Sequence, residues 1–293
     1  MTNTARPETF TTLISADALR AHLDAGTPTV IVDTSFDLAD VAAGELSWRE
    51  AHLPGSLYLH LDRDLCGAKT GPDGRFRGRH PLPSRADFAR TLGACGITPN
   101  TQVVALDAQG SMYAARLWWM LRWMGHGAVA VLDGGVAAWT AAGGPLTAAT
   151  VPAVAAPPYD DRPAAMATVT IDDLGAGLGR TRLIDARAGE RFRGEVEPLD
   201  AAAGHIPGAL NRFFRDNLGA DGRFKSAAAL RADFDALLGP QGASDVIHQC
   251  GSGVTACHNL LAMEHAGLAG SVLYPGSWSE WSSDPLRPVA TGG

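Results

Sequence analysis

The sequence has few features of a membrane, secreted or metal-binding protein. Its apolar runs are broken by Gly, Pro or charge before the roughly 18 residues that a transmembrane helix needs. The first residues, MTNTARPETFTT, lack the basic start and apolar core of a secretory signal. The chain has only four cysteines and no C-x-x-C, so neither a disulfide framework nor a zinc site is predicted. We expect a cytoplasmic protein with no metal and no membrane contact.

Composition narrows the class further. With 46% apolar and 19% charged residues, the 293-residue chain has a globular composition and is long enough for two domains. A net charge of −7 disfavours a nucleic-acid partner, because phosphate groups are bound by positive surfaces. With no disulfide framework and no metal expected, cysteine chemistry in this chain would be nucleophilic.

Landmark sequences occur twice in the same order, which indicates a tandem duplication. The pairs are AHLPG with GHIPG, DGRF with DGRF, RADF with RADF, VIVD with RLID, and LDGGVAAW with YPGSWSEW. The offset ranges from 142 residues (position 132 to 274) to 153 residues (51 to 204). Between the copies, residues 143–170 are rich in Ala, Pro and Gly and lack a helical apolar stripe. We predict an N-terminal domain over 1–147, a linker over 148–166 and a C-terminal domain over 167–293.

Within each copy, short β-branched runs alternate with stretches of helical periodicity. In the second copy RLIDA, DVIHQ and SVLY have the character of strands, and ALRADFDALLG and VTACHNLLAMEHAG that of helices. Such alternation predicts an α/β fold in which each domain is a parallel sheet flanked by helices. Ligands in these folds bind at the carboxyl ends of the strands, and Cys250 directly follows DVIHQ.

The loop after that strand has the composition of an anion-binding turn. Gly251 and Gly253 allow the backbone to curl, and a curled loop at a helix start directs several amide N–H groups at one point. Such donors stabilise a thiolate or a persulfide on Cys250. The structural alternative is a small buried hydrophobe beside a turn. The first copy has Asp107 and Ala108 at the matching place, so only one copy carries the nucleophile.

Two other cysteine chemistries are disfavoured. A cysteine phosphatase needs an arginine six residues after the nucleophile, and that position is Ala256. Cys257 lies two helical turns past Cys250, roughly 10 Å along the axis, which is too far for a disulfide without rearrangement. We expect Cys257 to be a core residue.

The run CGSGVTAC, residues 250–257, closely resembles the active-site loop of the 3-mercaptopyruvate sulfurtransferases, a branch of the rhodanese superfamily. DAR…RFRG, HIPGA and GSWSEW in the second copy are similar to further signatures of that family. HLPG, YAARLWWM and LDGG in the first copy are similar to its non-catalytic N-terminal domain. The resemblance covers nearly the whole chain and implies two tandem rhodanese-like domains, of which the second is catalytic.

The resemblance implies that Cys250 takes sulfur from 3-mercaptopyruvate as a persulfide and passes it to a thiol such as thioredoxin, or to cyanide. No cofactor is implied. Thiosulfate rhodaneses of the animal type have basic residues beside the cysteine, whereas this chain has Gly251 and Ser252. The alternatives left open are thiosulfate as the donor and a low-turnover persulfide carrier that serves a protein partner.

The resemblance also implies roles for residues outside the cysteine. The family's serine, here Ser252, acts in proton handling with a His and an Asp of the N-terminal domain, and we assign His52 and Asp40 to these roles. His52 has an equally plausible structural role before Pro54, since His205 occupies the same place in the second copy.

For the donor, Arg191 of RFRG matches the arginine that holds its carboxylate, and Arg187 or Arg193 would substitute for a second arginine of the family that this chain lacks. Gly251, Gly253, Val254 and Thr255 would complete the binding loop. The family's second arginine, in an E-P-R element, is missing from EVEPLD at residues 195–200. Its absence leaves the identity of the donor open. An ion pair on the surface or between the domains is the structural alternative for Arg191.

Overall fold

The computed structural model describes residues 9–239 and 242–293. The prediction about a secretory signal falls mainly on residues 1–8, which lie outside the described residues. Among the residues that are described, every helix is too short or too polar to cross a bilayer.

The first half of the chain forms a five-stranded parallel sheet in the order β1-β5-β4-β2-β3. Its strands β1 to β5 are Leu13–Ile14, Thr29–Asp33, Leu57–Tyr58, Gln102–Leu106 and Val129–Leu132. Its helices α1 to α6 are Ala16–Asp24, Ala43–Glu50, Leu61–Asp64, Arg85–Ala94, Ala114–Trp123 and Gly135–Ala141. The central strand β4 is buried along its whole length, as expected for a sheet covered on both faces.

The second half repeats this design in the order β6-β10-β9-β7-β8. Its strands β6 to β10 are Ala167–Thr168, Arg182–Asp185, Ala209–Asn211, Val246–Gln249 and Val272–Leu273. Its helices α7 to α11 are Ile171–Gly177, Gly189–Phe192, Ala227–Leu238, Ala256–His265 and Ser277–Trp281, and 3₁₀ turns occur at Phe214–Asn217 and Ala243–Asp245. Strands β6 to β10 occupy the same places in the second sheet as β1 to β5 occupy in the first. The predicted α/β duplication is confirmed.

The repeated sequence landmarks have equivalent structures. The two DGRF segments form the same turn, with φ of +76° at both Gly74 and Gly222. An isolated antiparallel bridge closes each turn, between Thr70 and Phe76 in one copy and between Leu218 and Phe224 in the other. The identical DGRF sequences therefore form the same loop geometry in both copies.

The segment between the two sheets runs along the N-terminal domain. Its amides at Ala156, Tyr159 and Ala165 donate to carbonyls of Gly93, Ala89 and Arg122, on or near α4 and α5. These backbone bonds hold an Ala- and Pro-rich segment that has no apolar stripe of its own.

The two domains share a core, and this interface defines where the site lies. Helix α5 of the first domain packs on helix α10 of the second, and residues of both belong to one continuous hydrophobic cluster. Arg116 on α5 is fully buried, and its guanidinium donates to the carbonyls of Gly253 (3.0 Å) and His80 (3.1 Å). A buried arginine therefore joins the loop after Cys250 to a loop of the N-terminal domain.

Candidate active site

Cys250 directly follows β9 and lines a cavity of about 210 Å³ between the domains. Its backbone N–H donates to Ser277 Oγ at 3.1 Å, and its carbonyl accepts from the N–H of Trp278 at 2.9 Å. The carbonyl of Gly251 accepts from the N–H of Ser279 at 2.9 Å. The start of α11 thus fixes the backbone of the cysteine loop, and the cysteine, with 2% of its surface exposed, lies at the wall of the cavity.

Gly253 is the residue at which the loop turns. Its φ is +76°, and a β-carbon there would lie 2.3 Å from the carbonyl oxygen of Pro275. A side chain is excluded both by the left-handed backbone and by this close approach. The prediction that the loop turns through a positive φ is confirmed at Gly253 and is wrong at Gly251, whose φ is not positive.

The equivalent loop of the N-terminal domain holds a carboxyl side chain where the other copy has the thiol. Asp107 follows β4 as Cys250 follows β9, and Gly110 (φ +75°) corresponds to Gly253. One Asp107 carboxylate oxygen accepts from the amides of Gln109 and Ser111, both at 2.8 Å. The other accepts from the amides of Tyr113 (2.8 Å) and Ala114 (2.9 Å). This loop geometry therefore directs four N–H groups at the side chain that ends the strand.

Burial of the Asp107 carboxyl raises its pKa, and its four amide donors act in the opposite direction by stabilising the ionised form. In the C-terminal domain the corresponding side chain is a thiol, and it faces a cavity. The two loops share the turn at Gly110 and Gly253, and the N-terminal copy satisfies the amides of its loop internally.

Ser252 pairs with a histidine of the other domain. Its hydroxyl lies 2.8 Å from Nδ1 of His80, and Nε2 of His80 lies 3.4 Å from a carboxylate oxygen of Asp62. Burial, together with Arg79, Arg116 and Lys69, lowers the pKa of His80 to about 3. The imidazole is therefore neutral at physiological pH and can accept the hydroxyl proton of Ser252 at Nδ1 while Nε2–H faces Asp62.

The structure does not bring His52 or Asp40 to Ser252. His52 Nδ1 lies 2.6 Å from the carbonyl of Trp48, on whose ring it stacks, and its backbone pairs with Thr147. His205 repeats this arrangement with Phe192 and Ala290. Through these backbone hydrogen bonds, each histidine holds the segment that follows the last helix of its domain. Asp40 is exposed, and its carboxylate accepts from the amide of Ala42.

A comparison of the two copies could have identified His80. Between DGRF and RADF the first copy has RGRHPLPS, residues 77–84, whereas the second has the shorter KSAAAL, residues 225–230. The extra residues include Arg79 and His80, both of which line the cavity. Asp62, on α3, has no comparable signal, because only the packing of α3 places it beside His80.

Arg191 lines the cavity, as predicted, within a group of charges. Its Nη2 donates to both carboxylate oxygens of Glu197 (2.7 and 2.9 Å) and to Asp200 at 3.1 Å. The other oxygen of Asp200 accepts from Nη1 of Arg79 at 2.7 Å. One carboxylate therefore bridges two arginines from different domains, and Arg79 was absent from the sequence prediction.

The two residues proposed to replace the family's missing second arginine have different surroundings. Arg187 is buried, bonded to Asp185, Glu197 and the carbonyl of Gly204, and its guanidinium lies 4.8 Å from the ring of Trp278. It reaches the cavity wall, but its hydrogen bonds are directed into the protein. Arg193 pairs with Glu195 at the surface and is not among the cavity residues.

The other predicted loop residues and cysteines are also located. Val254 and Thr255 line the cavity with Gly251 and Ser252. Cys257 is fully buried, its thiol donates to the carbonyl of Gly253 at 3.4 Å, and burial raises its pKa to about 12. It therefore has the surroundings expected of a core residue.

Comparisons with known proteins agree with this architecture. A family model described as a rhodanese-like domain matches residues 15–142 and again residues 170–284. A Pseudomonas aeruginosa protein named as a 3-mercaptopyruvate sulfurtransferase is 44% identical over 284 residues, covering 96% of this chain and 98% of that protein. A Mycobacterium tuberculosis protein named as a thiosulfate sulfurtransferase is 41% identical over 286 residues, covering 96% and 97%.

Among solved structures, the 3-mercaptopyruvate sulfurtransferase from Leishmania major superposes with a TM-score of 0.81 at 28% identity. The match covers 95% of this chain and 76% of that one. Fold and loop together define a tandem α/β protein with a cysteine at the end of a central strand of its second sheet. The chain belongs to the rhodanese family, and it is a sulfurtransferase enzyme.

Proposed function

We propose that this enzyme takes sulfur from 3-mercaptopyruvate as a persulfide on Cys250 and transfers it to a thiol acceptor such as thioredoxin. The observation that carries the proposal is the cavity itself. On its wall, Cys250 lies with the Ser252–His80 pair and with the guanidinium groups of Arg79 and Arg191. A thiol donor with a carboxylate finds there a nucleophile, a proton acceptor and guanidinium N–H donors.

In the first half-reaction the thiolate of Cys250 attacks the sulfur of the donor. The sulfur–carbon bond breaks, a sulfur–sulfur bond forms, and the electron pair stays on the donor's methylene carbon as the enolate of pyruvate. The proton originally on the donor sulfur moves to that carbon, which gives pyruvate and a persulfide anion. An acceptor thiolate then attacks the outer sulfur and releases Cys250 as a thiolate, so the kinetics are ping-pong.

Ser252 and His80 are suited to moving that proton. Neutral His80 accepts the hydroxyl hydrogen of Ser252 at 2.8 Å, which leaves the serine oxygen free to accept a proton from the donor sulfur. Because the pKa of His80 is lowered to about 3, its acceptor nitrogen stays unprotonated across the physiological range. The carboxylate of Asp62, 3.4 Å from Nε2, favours the tautomer that carries its hydrogen on Nε2.

Charge near the cysteine favours a donor with one negative charge. The three guanidinium groups at the cavity wall are balanced by three carboxylates. The pairs are Arg79 with Asp200, Arg187 with Asp185, and Arg191 with Glu197. The guanidinium groups are thus already neutralised, and a singly charged carboxylate loses less hydration on entry than a dianion. Mercaptopyruvate is such a monoanion, whereas thiosulfate carries two charges.

Thiosulfate remains the second candidate donor because the Mycobacterium tuberculosis relative carries that name. Steady-state rates with both donors, on the native chain and on Cys250→Ser, decide between them. We expect kcat/KM to be at least tenfold higher with mercaptopyruvate, and roughly a 1000-fold or greater loss in the variant. A tenfold preference for thiosulfate would reject the proposed donor.

The intermediate has its own test. After treatment with donor alone, mass spectrometry should find one added sulfur atom on the native chain and none on Cys250→Ser. Cys257→Ser is the matched control, because that thiol is buried beside the same loop. If Cys257→Ser loses the added sulfur and Cys250→Ser keeps it, the persulfide has been assigned to the wrong cysteine.

A further inference from the structure

Two arginines from different domains lie against the same glycine beside the nucleophile. A β-carbon built on Gly251 would be 3.2 Å from Nη2 of Arg79 and 3.4 Å from Nη1 of Arg191. Arg79 belongs to the N-terminal domain and Arg191 to α8 of the C-terminal domain. The missing side chain at position 251 therefore allows both guanidinium groups to reach the wall beside Cys250.

The spacing of the two guanidinium groups is fixed by one acid. Asp200, whose side chain is 2% exposed, bonds Arg79 Nη1 through one oxygen (2.7 Å) and Arg191 Nη2 through the other (3.1 Å). Each arginine thus commits one terminal nitrogen to the protein. The nitrogens that lie nearest Gly251 are the other two, Nη2 of Arg79 and Nη1 of Arg191.

Both arginines also have donors in need of an acceptor. The Nε atoms of Arg79 and Arg191 are buried and have no hydrogen-bond partner among the described residues. An unsatisfied buried N–H is costly, and two guanidinium groups with unused donors in one cavity are typical of a site for a planar anion. A carboxylate placed beside Gly251 would supply acceptors for the nitrogens that the protein leaves unused.

From this geometry we infer that Arg79 is a specificity-determining residue, and that with Arg191 it binds the carboxylate of the sulfur donor across the domain interface. The inference rests on the proposed function, since it names the group that recognises the proposed substrate. Leu199 stands where the family's E-P-R element has its second arginine. The inference explains how the chain can hold a carboxylate without that arginine, because the N-terminal domain supplies the second guanidinium. The N-terminal domain would then contribute to substrate selection as well as to the Ser252–His80 pair.

The experiment compares two donors on the native enzyme, Arg79→Leu and Arg79→Lys. One donor is 3-mercaptopyruvate, and the other is 1-mercaptopropan-2-one, which has a methyl group in place of the carboxylate. In Arg79→Leu we expect kcat/KM for mercaptopyruvate to fall about 10- to 100-fold, mostly through KM, as for a lost hydrogen bond to a charged group. The value for the carboxylate-free donor should change less than threefold. Arg79→Lys should lie between the native enzyme and Arg79→Leu.

A matched control is Arg75→Leu. Arg75 comes from the same segment and also joins the domains, through Asp172 at 3.2 Å, but it is exposed and lies away from the cavity. Its loss should leave both donors unaffected. If Arg79→Leu lowers kcat/KM equally for both donors, the residue supports domain packing and the inference is wrong.

The failure of this inference can be distinguished from the failure of the proposed function. If the native enzyme does not use mercaptopyruvate, the proposed function fails. If the native enzyme uses it and Arg79→Leu matches the native KM, only the role of Arg79 is rejected. Inhibition by pyruvate gives a second readout, since its inhibition constant should rise in Arg79→Leu by a factor similar to that of KM.

Discussion

At the scale of single residues, the two copies of the domain differ in chemistry at the residue that directly follows the fourth strand. In the first copy it is Asp107, whose carboxylate accepts four amide hydrogens of its own loop. In the second it is Cys250, on the wall of a cavity. The sequence predicted both the difference and its location, because strand, glycine and helix signals surround each residue locally.

The Ser252–His80 pair leads to a prediction about proton transfer. Ser252→Ala and His80→Asn should each lower kcat with mercaptopyruvate by about 100-fold, and the double variant should lose little more, because the two residues act as a unit. With thiosulfate, whose transferred sulfur carries no proton, we expect losses below about fivefold.

Parallel steady-state assays with the two donors measure this difference, and His52→Asn serves as the control histidine. Losses that multiply in the double variant, or that are equal for both donors, would show that the pair does not move a proton.

At the scale of secondary-structure elements, the loop between β9 and α10 depends on a contact with the segment before α11. Gly253 has φ of +76°, and Gly267, just after α10, has φ of +74°. They differ in their surroundings, since a β-carbon at Gly253 would meet Pro275 at 2.3 Å and one at Gly267 would meet nothing within 4 Å. The sequence identified Gly253 as a turn residue, but it contained no sign of Pro275, which approaches only in the fold.

We predict that Gly253→Ala lowers the free energy of unfolding by roughly 2–5 kcal/mol, since backbone strain and overpacking add. It should also remove most of the activity, because the loop carries Cys250 and Ser252. Gly267→Ala has the same backbone strain without the clash, so we expect a loss of about 1–2 kcal/mol and native kcat/KM. Denaturant unfolding and steady-state rates measure both, and equal destabilisation would contradict the role given to Pro275.

At the scale of the whole molecule, folding buries histidines in their neutral form. Burial is the main cause that lowers the pKa of His80, His248 and His258 to about 3. Below pH 6.5 the unfolded chain therefore binds protons that the folded chain does not, so each histidine lowers stability as the pH falls towards 3. Asp33 acts in the opposite direction between pH 6 and 4, because burial raises its pKa to about 6.

His248 isolates this effect, since it lies in β9, fully buried, with Nδ1 unpaired among the described atoms. Near pH 8 the difference in free energy of unfolding between the native chain and His248→Leu should not depend on pH, because the histidine is neutral in both the folded and the unfolded chain. Below pH 6.5 the native chain should lose stability relative to the variant, with a slope that approaches about 1.4 kcal/mol per pH unit near pH 5. Urea unfolding from pH 8 to 5 measures the difference, and a pH-independent value would mean that His248 is protonated in the folded state.

The sequence by itself determined the duplication, the two parallel sheets and the cysteine loop. Each depends on residues close together in the chain, such as β-branched runs, paired glycines and repeated landmarks, whose physical preferences act locally. The family resemblance of CGSGVTAC rests on such a run, and the match of the rhodanese model to both halves confirms it.

Only the tertiary structure decided which residues from the first domain meet that loop. His80 and Ser252 are 172 positions apart, and Arg79 and Asp200 are 121 apart. Their contacts form because α5 packs on α10 and the buried Arg116 holds the two loops together. The sequence-based choice of His52 followed a motif, but His52 holds the segment after α6 within its own domain. The packing of the two domains places His80 at Ser252.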